Sequence, residues 1–79
     1  MKEFFPHITI DPNTQFGKPI ITGTRVPVEV IIGHIAAGDT IQAVAEEYGI
    51  KRRDVQAALK YASKIIGEET LIYNSAFSH

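Results

Sequence analysis

The chain has 79 residues, enough for one small domain, and its 44% apolar and 22% charged residues are typical of a folded globular protein. It contains no cysteine, which excludes disulfides, thiolate nucleophiles and cysteine-based zinc sites. The sequence has no signal peptide and no apolar run long enough to span a bilayer, so we expect a cytoplasmic protein. The net charge of −1 provides no overall attraction to nucleic acid.

Residues 1–26 are predicted to form a short β arm. Residues 7–10 (HITI) alternate apolar and polar side chains, and residues 20–22 (IIT) are β-branched throughout. Between these segments, residues 11–14 (DPNT) have the composition of a turn. Two such short strands are marginal in water, so the hairpin must pack on helices or pair with a second copy of the chain.

The stretch 17–28 (GKPIITGTRVPV) combines glycines with basic residues, as phosphate-binding loops do. A Walker loop requires Lys-Ser or Lys-Thr after the second glycine, but Thr24 and Arg25 follow Gly23 here. No G-x-G-x-x-G sequence opens a helix either. The stretch is therefore interpreted as a shaped entry to the first helix.

Three helices are predicted after this stretch. The first runs over residues 27–37, with Pro27 at its first position and Gly38 after its end. The second is capped by residues 39–40 and stops at Gly49. The third begins near Arg52 and ends at Gly67; its apolar stripe comprises Val55, Ala58, Leu59, Ala62 and Ile66. The expected organisation is one domain, 1–79, with a β arm (1–26), a three-helix bundle (27–66) and an irregular tail (67–79).

The second and third helices have the spacing of a helix-turn-helix. Such a unit needs a small residue within its first helix, glycine in the turn, and apolar positions on its second helix. These roles are filled by Ala45, Gly49, Ile50, Val55 and Ala58. Three-helix domains also use this crossing only to pack, so the spacing alone leaves DNA binding open.

Charge on the third helix favours nucleic acid over an ordinary solvated face. Residues 51–64 hold five cations against the single carboxylate of Asp54. Arginine and glutamine contact guanine and adenine edges, whereas lysine mostly contacts phosphate. The predicted DNA-binding residues share the face opposite the apolar stripe or its N-terminal edge: Arg52, Arg53, Gln56, Lys60 and Lys64.

A second, small-residue face on the first helix, together with the weak β arm, favours a homodimer. The predicted dimer or partner interface comprises Ile8, Ile10, Arg25, Val30, Gly33 and Ala37.

Catalysis and metal binding find no support in the sequence. The three histidines, His7, His34 and His79, have no metal-ligand spacing to a carboxylate, and His34 is expected at the surface or an interface. No serine lies in a nucleophile-elbow sequence. We therefore expect a protein that is not an enzyme and needs no cofactor or metal.

The motifs of residues 8–62 resemble the bacterial and archaeal family called domain of unknown function 433. The resemblance rests on Asp11-Pro12, on the run GKPIITGTRVPV at 17–28, on Ala37-Gly38 and on residues 54–62. It implies a mainly α, homeodomain-like three-helix fold with a short N-terminal β arm or hairpin. It also implies an antitoxin of VapB type that neutralises a PIN-like ribonuclease toxin and represses its own operon by binding double-stranded DNA.

The chain departs from the family pattern at two places. Lys51 stands where many members have a serine or threonine cap for the third helix, and a lost cap costs about 1 kcal/mol. The tail after Ile66 matches no motif, and its apolar residues could bind a toxin, complete the domain or be disordered: Leu71, Ile72, Tyr73 and Phe77. The alternative function is a non-enzymatic protein-interaction or dimerisation module that does not bind DNA.

Overall fold

The computed structural model describes the backbone of residues 3–77, and the side chains of that range except Phe4 and residues 69–77. The elements in chain order are β1 (Glu3–Phe5), β2 (Ile8–Ile10), a 3-10 turn (Gln15–Gly17), β3 (Pro19–Ile21), α1 (Val28–Ala36), α2 (Ile41–Tyr48) and α3 (Arg52–Phe77). This arrangement confirms the prediction of a small, mainly helical domain with an N-terminal β arm. Of the helices within the described range, none is both long enough and apolar enough to cross a bilayer.

The strands form an antiparallel sheet in the order β1-β2-β3. Ile8 pairs with Ile21 and Thr9 with Ile20, and all four residues are almost completely buried. The sheet is thus part of the domain's own packing. Two expectations need correction: β2 begins at Ile8 because His7 adopts a left-handed φ of 65°, and Ile8 is a core residue that is inaccessible to a partner.

One apolar core joins the sheet to all three helices. Thr9 is its buried polar neighbour, and its hydroxyl is satisfied by the Thr22 hydroxyl at 2.7 Å. The buried core residues are Ile8, Ile21, Val28, Ile31, Val44, Ala45, Val55, Ala57 and Ala58.

Local signals define the turn between α1 and α2. Pro27 is the N-cap of α1, with an extended ψ of 142°, so α1 starts one residue later than predicted. Gly38 adopts a φ of 102° after α1, and the next amide, of Asp39, donates to the His34 carbonyl at 3.0 Å. Thr40 caps α2 as predicted, its hydroxyl accepting from the Ala43 amide at 3.0 Å.

The turn between α2 and α3 is closed by glycine. Gly49 has a φ of 64° and donates to the Glu46 carbonyl, while the Ile50 amide donates to the Ala45 carbonyl at 3.0 Å. This pair of bonds is a Schellman motif, which requires a left-handed residue where glycine has no steric cost. The predicted end of the second helix at Gly49 is therefore confirmed, and the left-handed conformation of this glycine explains it.

The third helix is longer than predicted. It passes through Gly67 and continues to Phe77, which corrects the expected helix end and the irregular backbone of residues 67–77. A glycine inside a helix costs only about 1 kcal/mol relative to alanine, and it ends a helix when it adopts a left-handed φ, which Gly67 does not. The proposed roles of Leu71, Ile72, Tyr73 and Phe77 concern side chains that lie outside the described residues.

The predicted turn after β2 is built around the Asp11 carboxylate. Its oxygens accept from the Asn13 amide at 3.0 Å and from the Thr14 hydroxyl at 2.9 Å. These bonds favour the charged carboxylate, the Asn13 bond most, and they lower the pKa of Asp11 below the ordinary 3.8.

We predict that NMR titration will give Asp11 a pKa below 3.8, and that Thr14→Ala will raise it part of the way back. Because the folded-state pKa is lowered, this contribution to stability is present above the ordinary pKa and is lost as the pH falls through the lowered one. A carboxyl that titrates at or above 3.8 in the wild-type protein would contradict the assignment.

We predict opposite stability changes for two glycine-to-alanine substitutions. A Cβ at Gly49 or at Gly33 would meet no atom within 4 Å, so backbone conformation alone decides. Gly49→Ala must keep a left-handed residue and should lower the free energy of unfolding by about 1–2 kcal/mol. Gly33→Ala lies within α1 and should raise it by about 0.5–1 kcal/mol. Urea denaturation measures both changes, and equal effects would contradict the explanation.

Candidate nucleic-acid interface

The first half of α3 presents one face to the core and another to solvent. Val55 and Ala58 are fully buried, and they fix the rotation of the helix against α1, α2 and the sheet. The opposite face spans about 120° of the helix circumference at 3.6 residues per turn. It carries the five residues predicted to contact DNA, all of them exposed: Arg52, Arg53, Gln56, Lys60 and Lys64.

Small residues let α2 approach α3 closely at the crossing. Ala45 is 4% exposed, and Ala58 is fully buried. Ile50, the residue after the left-handed glycine, packs against the same core. The residues predicted for this crossing thus lie in the core or pack against it, and Gly49 forms the turn.

The N-terminus of α3 is capped by Asp54, a role that was not predicted for this residue. The Lys51 amide donates to the Asp54 carboxylate at 3.0 Å, which is one half of a capping box. An acid three residues after the cap position is a sequence signal for this bond. Lys51 is thus compatible with a stabilised helix start. The negative carboxylate of Asp54 also interacts favourably with the positive end of the helix dipole.

The cations on this face differ in whether they have an acidic partner. Among the side chains that the structure describes, no carboxylate lies within 4.0 Å of Arg52, Arg53 or Lys60. Lys64 instead forms an ion pair with Glu68 one turn later on α3. The positive charge that is available for an anion is therefore concentrated in the first three turns of α3.

The turn between β1 and β2 stands beside these cations, an arrangement that the sequence did not predict. A cleft of about 260 Å³ separates the turn from α3. It is lined by Phe5, Pro6, His7, Arg53, Gln56, Ala57 and Lys60. Three of the predicted DNA-binding residues thus share one concave surface with a strand and a turn.

Two contacts hold the β1–β2 turn against α3. The Phe5 and Tyr61 rings lie with centroids 5.5 Å apart at an interplanar angle of 60°. His7 Nδ1 lies 3.8 Å from Asp54 Oδ1, and the His7 amide donates to the Glu3 carboxylate at 3.0 Å. Pro6 suits the first central position of a turn, but His7 stands at the left-handed position where glycine or asparagine is usual, so the sequence signal is incomplete.

An apolar groove of about 450 Å³ lies between α1 and α3. Its floor comes from both helices, and Ile66 at its edge is 61% exposed. An ion pair between Lys18 and Glu29, with Nζ and Oε1 2.6 Å apart, stands at its rim. The apolar lining residues are Pro19, Val28, Ile32, Tyr61, Ala62, Ile65 and Ile66.

A strained turn exposes an aromatic ring. Gln15, Phe16 and Gly17 have consecutive left-handed φ values of 52°, 58° and 77°. Phe16 is 97% exposed, which is unusual for a phenylalanine held in a costly backbone conformation.

The predicted dimer or partner residues are distributed unevenly between core and surface. Ile8 is buried, as described above, and Ile10 is 43% exposed. Val30 is half-buried, and Arg25, Gly33 and Ala37 are exposed. Arg25 makes no hydrogen bond or ion pair with any other side chain that is described.

His34 bridges the turn before α2 and the end of α2. Its Nδ1 lies 2.7 Å from an Asp39 oxygen, and its Nε2 lies 2.7 Å from the Tyr48 hydroxyl. These bonds explain a polar side chain beside the apolar face of α1 without a ligand. Across the described residues, no three histidines, cysteines or acids are grouped as a metal site would require.

The chain is similar to proteins of Mycobacterium tuberculosis, one of which is named as an antitoxin. A Mycobacterium tuberculosis protein named "Putative antitoxin VapB45" is 36% identical over 53 residues, 67% of this chain and 22% of that protein. "Uncharacterized protein Rv2308" of the same organism is 32% identical over 60 residues, 76% of this chain and 25% of that protein. The crystal structure of Rv2018 from M. tuberculosis superposes with a TM-score of 0.61 at 36% identity, covering 66% of this chain and 24% of that one.

The chain spans about a quarter of the length of each of these relatives. Residues 8–62 match the family described as "Protein of unknown function (DUF433)". This range includes β2, β3, α1, α2 and the part of α3 that carries the unpaired cations. The chain belongs to the DUF433 family.

Proposed function

We propose that this protein is an antitoxin-like, DNA-binding protein of a type II toxin–antitoxin pair. In this proposal it has no enzymatic activity, acts in the cytoplasm, neutralises a PIN-like ribonuclease toxin and represses its own operon. The relative named as an antitoxin supports the biological setting. The observation that carries DNA binding is the exposed face of α3, on which Arg52, Arg53 and Lys60 have no carboxylate partner among the described side chains.

The chemistry of this face suits a DNA major groove. In helix-turn-helix proteins the N-terminal residues of the second helix contact base edges. Arg52, Arg53 and Gln56 occupy the first two turns of α3, where guanidinium and amide groups can form paired hydrogen bonds with guanine and adenine. Lys60 and Lys64 follow one and two turns later and are assigned to phosphate, Lys64 after exchange of its bond to Glu68.

We also propose that the protein binds DNA as a homodimer. Two-fold related copies would present two α3 helices to two half-sites of an operator. The exposed or half-buried residues Ile10, Arg25, Val30, Gly33 and Ala37 remain the proposed interface, and Ile8 is removed from it because it is buried.

A second candidate function is protein interaction without DNA binding. The apolar groove beside Ile66 and the exposed ring of Phe16 favour it, because apolar surface of this kind commonly marks protein contacts. Co-purification with a toxin, without binding to operator DNA at low salt, would select this function over the first.

We predict that the protein binds the DNA upstream of its own gene, that Arg53→Ala and Lys60→Ala each weaken this binding, and that the double variant abolishes it. Each phosphate contact that is lost should reduce the slope of log affinity against log salt by about 0.9. Fluorescence anisotropy at salt concentrations from about 50 to about 300 mM measures the DNA affinity and its dependence on salt.

Lys18→Ala is the matched control for each single variant. It also removes one exposed cation, but from the groove rim on another element. It should leave DNA affinity within about twofold, because Lys18 is paired with Glu29 and lines the apolar groove, whereas Arg53 and Lys60 line the other cleft. Binding that ignores salt, or equal losses in Lys18→Ala and Arg53→Ala, would contradict the assigned face.

A further inference from the structure

We propose that the cleft between the β1–β2 turn and α3 holds a DNA backbone phosphate, and that protonation of His7 strengthens this contact. This proposal rests on the proposed DNA binding and extends it to an element outside the helix-turn-helix unit. It makes the first strand and its turn part of the site.

The geometry of the cleft suits an anion of this size. Arg53 and Lys60 lie one above the other on α3, and His7 faces them from the opposite wall. The volume of about 260 Å³ admits a phosphate with bound water. Gln56 lies on the same wall as the two cations and can donate a hydrogen bond as well.

The charge of the cleft depends on His7. The charged groups that surround its imidazole and amide are Arg53, Asp54 and Lys60 on α3, and Glu3 on β1. Neither carboxylate pairs with Arg53 or Lys60, although the formal charges of these four groups sum to zero when His7 is neutral. A protonated His7 makes the sum positive, which favours a phosphate.

The conformation of the β1–β2 turn directs His7 toward the start of α3. His7 adopts a φ of 65°, which is uncommon for residues other than glycine, although histidine adopts it more readily than most. The imidazole is only partly exposed, at 41% of its side chain, and lies against the start of α3. The turn thus places a titratable ring in the same cleft as Arg53 and Lys60, where it can contact a shared anionic ligand.

The test is the affinity for operator DNA from pH 5.5 to 7.5, at fixed ionic strength. Wild-type affinity should rise severalfold as the pH falls from 7.5 to 5.5, because histidine side chains change charge in this range. The salt slope should be larger at pH 5.5 than at pH 7.5 by about 0.9. Carboxylates with ordinary pKa values stay charged throughout this range.

Two histidine variants assign the effect. His7→Asn keeps a residue that tolerates left-handed φ, and its circular dichroism should match the wild type. It should bind DNA with the wild-type affinity of pH 7.5 at every pH. His34→Gln removes a histidine that bonds to Asp39 and Tyr48, so it should keep the full pH dependence.

The possible failures are distinguishable. Salt-dependent DNA binding that does not change with pH, or that keeps its pH dependence in His7→Asn, would overturn the phosphate site and leave the proposed function standing. The absence of DNA binding at low salt would overturn both the phosphate site and the proposed DNA-binding function. Saturable binding of inorganic phosphate, followed by NMR shifts at His7 and Arg53, together with a DNA affinity that Arg53→Ala leaves unchanged, would reassign the cleft to a free anion and overturn the DNA contact.

Discussion

The docking of α3 on the core is the contact on which the rest of the structure depends. Val55 and Ala58 are fully buried at the point where α1, α2 and the sheet converge. This contact fixes the rotation of α3 about its own axis. An amphipathic helix that turned by one residue, about 100°, would carry its cations toward the core and its apolar face toward water. The direction of the charged face is thus a consequence of apolar packing.

The same docking explains why the sheet matters for the site. β2 contributes Ile8 to the core, and β1 pairs with β2, so the β1–β2 turn is held at a defined place beside α3. Its aromatic contact to Tyr61 adds a second attachment. A region that would be marginal alone becomes a wall of a cleft, because its apolar side is covered by helices.

Much of the fold could be predicted because its signals are local. Thr40 and Gly49 act through hydrogen bonds to residues three to five positions away, and Asp11 acts through its own turn. Such bonds depend on residue type and spacing alone. The rotation of α3 was also predictable in outline, since helical periodicity separates the cations from Val55.

The remainder depends on contacts between residues that are distant in sequence. The alternation in residues 7–10 places Ile8 on an apolar face of its strand, but only the tertiary fold shows that helices of the same chain cover this face. The continuation of α3 through Gly67 could not be predicted, because a glycine ends a helix or continues it according to its φ. The place of His7 beside Asp54 was likewise hidden, because 47 positions of sequence separate them. The position of the predicted DNA-binding residues beside β1 could therefore not be predicted from the sequence.

This separation has a kinetic meaning. The turns that connect α1 to α2 and α2 to α3 each close within a few residues. The contact between the β1–β2 turn and α3, in contrast, closes a loop that includes most of the chain. Loop-closure entropy makes contacts of that span the slow ones, so the helices should associate before the sheet joins them. The wall of the cleft would then be the last part of the domain to form, and the first to open when the native state fluctuates.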